Sequence, residues 1–290
     1  MDNLTELDVQ TILNGIVIPP RPSILAALVE EQLTGNSNLK EIISLISSDI
    51  GLSSAVLRTI NSAAYNLRVK VISIERAVSL LGMKNLATLA TALTLHNVVC
   101  GDDMEDFWTH SARTALVTSF LAQSIGCYDK CEAHLFGLFH DCGQPLMIHR
   151  FADYKDTLSL SISDSTKNLI YLENSRHRTN HAQVGAELAK AWNLPSRLCD
   201  AILLHHRSDI FQVNLATDDV LILVSLVHLS EYIANGESDF SDNEWILLRR
   251  DIMNYLHLTD IRLKELSLEA KNLLIKAESV GFITPIGSIR

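Results

Sequence analysis

Two things that this sequence lacks, an excess of positive charge and a long apolar run, exclude several classes of protein. With 24 Lys and Arg against 34 Asp and Glu, the formal net charge is −10, so a broad nucleic-acid-binding face is not expected. The longest apolar stretch, 220–229, contains Ser225 and His228 and is far shorter than the roughly 20 residues that cross a membrane. We therefore expect neither nucleic acid nor a membrane as a partner.

Cysteine is scarce, and no export signal is visible. The chain contains five cysteines, an odd number that favours reduced thiols where no signal peptide is found. The first ten residues are acidic, and no secretory core follows them. We therefore expect a cytoplasmic protein.

Glycine and proline are also few, at 12 and 6 residues, and they punctuate the chain rather than fill it. Between them apolar residues recur at spacings of three and four, which predicts helices, and no run is typical of a strand. The sequence thus predicts an all-α fold. In the first hundred residues we expect an extended segment at 18–22 and helices near 23–33, 39–46, 52–60, 74–81 and 86–95.

A turn at 100–103 separates this N-terminal bundle from a second set of helices, so the fold is expected to be a two-part bundle over 1–100 and 101–290. Asp103 and Gly126 bound one predicted helix, and Asp129 with Glu132 opens the next. That helix should break at Gly143 and Pro145, and 159–167 should form a loop or a helix junction. Later helices are predicted at 181–192, 196–206 and 217–234, from 241, and at 259–281. The last two should complete the bundle rather than form a partner surface.

The most informative feature for function is the adjacent pair His140 and Asp141 at the end of an apolar helix. Imidazole and carboxylate together favour iron, manganese, zinc or similar ions, but the pair needs partners. Other predicted helices offer them, and a bundle core is where such groups can meet around an ion. His181 begins its helix, where a metal-bound imidazole needs a carboxylate to balance the helix dipole. The candidate partners are His110, His181, His205 or His206, and Glu231.

The order of these parts resembles the HD superfamily of metal-dependent phosphohydrolases, and more closely the HDOD family, an output domain of bacterial signalling proteins. The resemblance covers roughly 15–235. The segments that carry it are 18–22 (IPPRP), 61–65 (NSAAY), 74–82 (IERAVSLLG), 107–111 (FWTHS), 140–143 (HDCG) and 181–185 (HAQVG). It implies an N-terminal helical subdomain of an HDOD module in 1–100 and an HD-like helical subdomain with C-terminal helices in 101–290.

The resemblance also implies a set of site residues, with one or two divalent ions (Fe, Mn, Zn or Mg) as the cofactor and Asp141 as the catalytic residue. The last acidic ligand falls on Glu231, where an aspartate is usual. Gln144 stands where relatives that hydrolyse cyclic di-GMP have a lysine, and no Gly-Tyr-Pro follows His206. The implied metal ligands are His110, His140, Asp141, His181, His205 (or His206) and Glu231.

Three functions remain open at this stage. The resemblance and the missing lysine favour a regulatory signalling protein that responds to a partner protein or a small nucleotide-like ligand. The alternative is a metal-dependent phosphohydrolase that acts on a nucleotide or another phosphoester. The third is that the histidines only stabilise the bundle through hydrogen bonds and bind no metal.

Overall fold

The computed structural model describes residues 13–18, 24, 27–28, 39–61, 70–83, 86–87, 90, 93–94, 104–163, 168–212, 216–235 and 243–279. Within these ranges the regular secondary structure is helical, without strands, which confirms the predicted all-α class. None of the helices in these ranges is both long enough and apolar enough to cross a membrane. The helices are α1 (Leu39–Ser48), α2 (Ile50–Ile60), α3 (Ile74–Leu81), α4 (Glu105–Ile125), α5 (Lys130–Phe139), α6 (Gly143–Arg150), α7 (Tyr154–Ser163), α8 (Leu169–His177), α9 (His181–Ala191), α10 (Ser196–Leu204), α11 (Asp218–Asn235), α12 (Asn243–Tyr255) and α13 (Asp260–Ser279).

The N-terminal part has a hydrophobic core of its own. Helices α1, α2 and α3 bury the predicted apolar stripes, for example at Ile46, Val56 and Ala77, because a helix with one apolar face is stable only when that face is covered. Ser73 caps the start of α3 and Gly82 its end. Of the helices expected near 23–33 and 86–95, only scattered residues lie in the described ranges, and these are helical. The segment predicted to be extended, 18–22, lies outside them except for its first residue.

The second part contains two further cores. One gathers apolar side chains of α5, α6, α9, α10 and α11, including Phe136 and Val224. The other joins α4 and α11 to the C-terminal helices through residues such as Leu248 and Leu266. The C-terminal helices α12 and α13 therefore share a buried core with α4 and α11.

A short N-terminal segment packs on this second part. Ile16 is buried in the core that contains Phe136, the Asn14 side chain donates to the carbonyl of His177 at 2.7 Å, and Arg150 donates to the carbonyl of Asn14 at 3.2 Å. The proposed boundary between 100 and 101 stays a prediction, and residues 13–18 contact the part that lies beyond it.

Helix α5 ends before Gly143, as predicted, but the sequence analysis missed the helices that follow it. A new helix, α6, begins at Gly143 and accepts Pro145 in its first turn, where the missing N–H costs little. The stretch 159–167, predicted to be a loop or a helix junction, is helical up to Ser163, and 164–167 lies outside the described ranges. The hydroxyls of Ser159 and Ser161 donate to carbonyls of their own helix at 2.9 and 2.8 Å, so these serines are accommodated without leaving it.

Candidate metal centre

Two glycines allow the helices that carry the candidate ligands to approach closely. A Cβ at position 137 in α5 would lie 2.8 Å from the Cα of Ala115 in α4. A Cβ at position 143 would overlap the carbonyl of His181 and lie 2.7 Å from the amide nitrogen of Gly185 in α9. Real side chains do not tolerate such contacts with backbone atoms. Glycine therefore brings the turn between α5 and α6, which holds the His-Asp pair, against both α4 and α9.

On one side of this turn a carboxylate oxygen of Asp141 faces two imidazoles and a second acid. Asp141 Oδ2 lies 3.5 Å from His140 Nε2 and 3.8 Å from His110 Nε2. Glu231 Oε1, from α11, lies 3.3 and 3.6 Å from the same two nitrogens, which are themselves 3.4 Å apart. We call His110, His140, Glu231 and Asp141 Oδ2 the Glu231 side of the centre.

On the other side, the second oxygen of Asp141 faces three imidazoles. Asp141 Oδ1 lies 3.1 Å from His181 Nε2 and 3.4 Å from His205 Nε2, and His206 Nε2 lies 3.0 Å from His181 Nε2. We call His181, His205, His206 and Asp141 Oδ1 the His206 side. The donor atoms of these four residues all lie within 4.8 Å of one another, as do those of His110, His140 and Asp141.

Four of the imidazoles are held from behind through Nδ1. The Nδ1 atoms of His140 and His205 lie 2.7 Å from the carbonyls of Gly137 and Ile202, in the last turns of the helices that precede them. Because a carbonyl can only accept, these Nδ1 atoms carry the proton. His181 and His206 are held through Nδ1 by the carboxylates of Glu173, at 2.8 Å, and Glu244, at 2.6 Å. In the neutral form, each Nε2 then presents a lone pair to the interior. Imidazoles that bind metals in proteins are oriented in this way.

Glu173 meets the electrostatic requirement that the sequence raised for His181. It is fully buried, its Oε2 accepts from the backbone N–H of His181 at 3.2 Å, and its Oε1 accepts from the hydroxyl of Tyr154. The start of α9, which Asn180 caps, therefore has a carboxylate beside its positive dipole end.

The pKa values of the buried groups diverge strongly. Burial by itself would lower the pKa of His140, but Asp141 and Glu231 outweigh it and raise that pKa to about 9. Burial would raise the pKa of both acids, but the facing imidazoles hold the two values well below the usual range. Burial, with the neighbouring His206, lowers the pKa of His205 to about 3. Near neutral pH, in a cation-free centre, His140 would therefore be protonated on both ring nitrogens and positively charged, whereas His205 would be neutral.

The residues of the centre fit a divalent metal ion. Asp141 Oδ1 and His205 Nε2 are buried without a hydrogen bond of normal geometry in the described ranges, although Oδ1 lies 3.1 Å from His181 Nε2 and 3.4 Å from His205 Nε2. Such atoms are costly unless an ion or a water satisfies them. Imidazole with carboxylate suits iron, manganese or zinc, whereas Mg²⁺ prefers oxygen ligands and suits the nitrogen-rich His206 side less well.

All six ligands proposed from the sequence lie in this one cavity, although their roles as ligands stay predictions. His205 and His206 both belong to the group of donor atoms around Asp141 Oδ1, so the choice between them as ligands stays open and both are candidates. Sequence reasoning missed Glu173 and Glu244, which hold two of the imidazoles. It also missed the contact of Gln144, whose amide donates to Asp141 Oδ2 at 2.6 Å.

Comparison with known families identifies the family of this chain. A family model described as the HDOD domain matches residues 18–208, and the chain belongs to the HDOD family. An uncharacterized protein of Treponema pallidum (strain Nichols) is 26% identical over 196 residues, which cover 65% of this chain and 37% of that protein. The chain therefore spans a little over a third of the length of this curated relative.

Three solved structures share the fold. An HDOD domain protein of unknown function from Geobacter sulfurreducens superposes with a TM-score of 0.74 at 21% identity, covering 96% of this chain and 97% of its own. A Shewanella amazonensis SB2B protein, provisionally named a phosphohydrolase, gives 0.73 at 24% identity, with coverages of 94% and 98%. A Marinobacter aquaeolei VT8 protein, provisionally named a signal transduction protein, gives 0.73 at 20% identity, with coverages of 98% and 62%. At these identities the likeness establishes the fold alone.

Proposed function

We propose that the protein is a bacterial signal-transduction protein of the HDOD family whose centre binds two divalent cations, one on the Glu231 side and one on the His206 side. The observation that carries the metal centre is the division of Asp141 between two groups of imidazoles. Oδ2 lies 3.5 Å from His140 Nε2 and Oδ1 lies 3.1 Å from His181 Nε2. Asp141 would supply one carboxylate oxygen to each side, and the four imidazoles anchored through Nδ1 would supply their Nε2 atoms as ligands.

The signalling role is supported by what surrounds the centre. Gln144 places a neutral amide on Asp141, where a cationic side chain would have stabilised the charge of a phosphoryl group. In the described ranges, Asp141 and Glu231 form ion pairs with histidines alone. One structural neighbour is provisionally named a signal transduction protein. The partner we propose is a signalling protein or a small nucleotide-like ligand.

A second candidate function, hydrolysis of a phosphoester, is favoured by the accessibility of the Glu231 side. The His110 side chain is 29% exposed, whereas that of His140 is fully buried, so a ligand from solvent can reach this edge. A divalent cation there would supply positive charge and Lewis acidity towards a phosphate group. Glu231 and Asp141 would hold that cation, and His110 would face the ligand. One structural neighbour is provisionally named a phosphohydrolase.

The experiment that tests the proposal is elemental analysis of protein purified without added metal, followed by assays on generic phosphodiesters and nucleotides. We expect up to two cations per chain, and fewer in His140→Ala and His181→Ala. His149→Ala is the matched control, because His149 lies exposed on α6 and should leave the metal content unchanged.

The outcomes separate the three functions. Metal without turnover supports the regulatory protein. Metal with turnover that is lost in His140→Ala supports the phosphohydrolase. Protein that binds no cation even after reconstitution, and whose stability is indifferent to both substitutions, would overturn the metal centre and leave the histidines as hydrogen-bonded packing residues.

A further inference from the structure

One imidazole of the centre depends on a distant part of the chain. The other three anchored imidazoles have anchors nearby in the sequence, namely His140 on Gly137, His205 on Ile202 and His181 on Glu173. His206 is the exception, because its Nδ1 lies 2.6 Å from Glu244 Oε2, 38 positions later. The orientation of the His206 ring is therefore set by a helix that the chain forms much later.

The backbone offers His206 little support of its own. Helix α10 ends at Leu204 and His205 is its C-cap, so His206 lies in the turn that follows. Its Nε2 faces His181 Nε2 at 3.0 Å, and two lone pairs at that distance repel unless a cation or a proton lies between them. Without an anchor behind it, the His206 ring would rotate away from His181.

Glu244 is firmly seated as an anchor. It lies in the first turn of α12 and is buried, and its Oε1 accepts from the Asn168 side chain at 3.2 Å. The next residue, Trp245, stacks on Tyr232 of α11 at 4.5 Å between ring centroids and 17° between planes. Tyr232 directly follows Glu231. Each stacked ring is thus adjacent in sequence to an acid of the centre, Glu231 before Tyr232 and Glu244 before Trp245. The contact between α11 and α12 therefore holds one acid for each side of the centre.

We propose that Glu244 is a positioning residue for the His206 side, and that through it the docking of α12 is coupled to cation binding. Glu244 lies beyond the segment that matches the family, so this coupling involves the C-terminal helices of the chain. Because coupling free energies are reciprocal, a cation that binds better when α12 is docked must also stabilise the docked helix. The inference rests on the proposed two-cation centre.

The test is a titration of the cation-free 290-residue chain with Co²⁺, monitored by calorimetry and visible absorption. Glu244→Gln keeps the shape of the side chain and removes its charge. We expect it to weaken one of the two binding events by about 10- to 100-fold and to leave the other within about twofold. Glu244→Asp, which restores the charge at shorter reach, should recover part of the loss. Asp251→Asn is the matched control, since it removes an acid of the same helix that pairs with Arg250 at the surface.

Hydrogen exchange of the wild-type protein provides a second measurement that needs no variant. Because the coupling is reciprocal, Co²⁺ should slow amide exchange in α12 by about tenfold or more, and this protection should disappear in Glu244→Gln. Equal weakening of both binding events in Glu244→Gln, or exchange in α12 that Co²⁺ leaves unchanged in the wild type, would overturn the coupling. Wild-type protein that binds no Co²⁺ would instead overturn the proposed centre, so the two failures are distinguishable.

Discussion

The two sides of the centre share Asp141 but place their negative charge differently. On the Glu231 side a second carboxylate faces the cavity directly, 3.3 Å from His140 Nε2. On the His206 side three imidazoles face the cavity, and the acids Glu173 and Glu244 stand behind them. On the Glu231 side, the second carboxylate would therefore contact a cation directly. On the His206 side, the two additional carboxylates instead orient the imidazoles. The Glu231 side is also the more accessible of the two, because the His110 side chain is 29% exposed and that of His206 18%, so we expect exchange with an outside ligand to occur there.

The largest expected effect comes from removing what the two sides share. Asp141→Asn should abolish binding of both cations, because each oxygen of Asp141 serves one side. The cation-free protein should also lose about 3 kcal/mol of unfolding free energy, since the charged imidazole of His140 then keeps only Glu231 as its acidic partner. Elemental analysis and urea unfolding measure the two effects.

The control for this prediction is Asp153→Asn, which removes a surface acid that pairs with Arg176. It should change stability by no more than about 0.5 kcal/mol. If Asp141→Asn retained one tightly bound cation, the two sides would be independent and the bridging role of Asp141 would be wrong.

The next effect should fall on the His206 side alone. Gly143→Ala places a methyl group against the carbonyl of His181 and 2.7 Å from the nitrogen of Gly185, and neither backbone atom can move without displacing α9. We expect a loss of about 3 kcal/mol in stability and weaker cation binding at the His206 side, with the Glu231 side retained. Thermal unfolding and the cation titration measure these changes.

Gly126→Ala is the control for Gly143→Ala, because it introduces backbone strain without steric overlap. No atom lies within 4 Å of a Cβ at that position, but its φ is +74°, so the substitution should cost about 1 kcal/mol without affecting either cation. Normal stability in Gly143→Ala would mean that α6 and α9 can separate, and that the close approach does not fix His181.

Local signals in the sequence were enough to predict much of this fold. Gly126 ends α4 in the left-handed conformation, Asn180 caps α9 through its side chain, and Asp129 caps the start of α5. Each of these signals lies within a few residues of what it determines. The sequence indicated that α5 ends before Gly143, but not that α6 begins there, because Pro145 is also compatible with a first helical turn. It likewise missed that α7 continues through Ser159, because serine is also compatible with a helix interior.

The same distinction explains which site residues could be predicted. Histidines and the His-Asp pair are few and chemically distinctive, so the inward-facing ligands could be named from the sequence. Glu173 and Glu244 are two of 34 acidic residues, and acids are common on exposed helix faces. Only the packing of the helices reveals that these two acids are buried against imidazoles. For Glu244, the contact is with His206, which lies 38 positions earlier in the sequence.

A smaller effect should follow from pH, because the two forms of the protein respond in opposite directions. In cation-free protein the pKa of His140 is raised to about 9, above its unfolded value near 6.5. Its contribution to stability is therefore complete below about pH 6.5 and is lost as the pH rises towards 9. The melting temperature of chelator-treated protein should fall over this window.

Cation affinity should instead rise over the same window, because a cation competes with the proton on His140. Calorimetry in buffers of different ionisation enthalpy should detect proton release on binding near pH 7.5. A melting temperature independent of pH, or binding without proton release, would contradict this protonation state. His149→Ala, which alters an exposed histidine on α6, should leave both results unchanged.

The smallest effect tests how deeply the His206 side is supported. Tyr154 is fully buried, and its hydroxyl donates to Glu173. Tyr154→Phe removes that donor but leaves the carboxylate with both N–H groups of His181, at 3.2 and 2.8 Å. We expect a loss of about 1.5 kcal/mol in stability, two cations still bound, and only a few-fold weaker affinity at the His206 side. Tyr171→Phe is the matched control, because that tyrosine lies exposed on the helix that carries Glu173. Equal weakening of the Glu231 side would show that Tyr154 supports the whole cavity, and the contrast between the two sides would then be smaller than their ligands suggest.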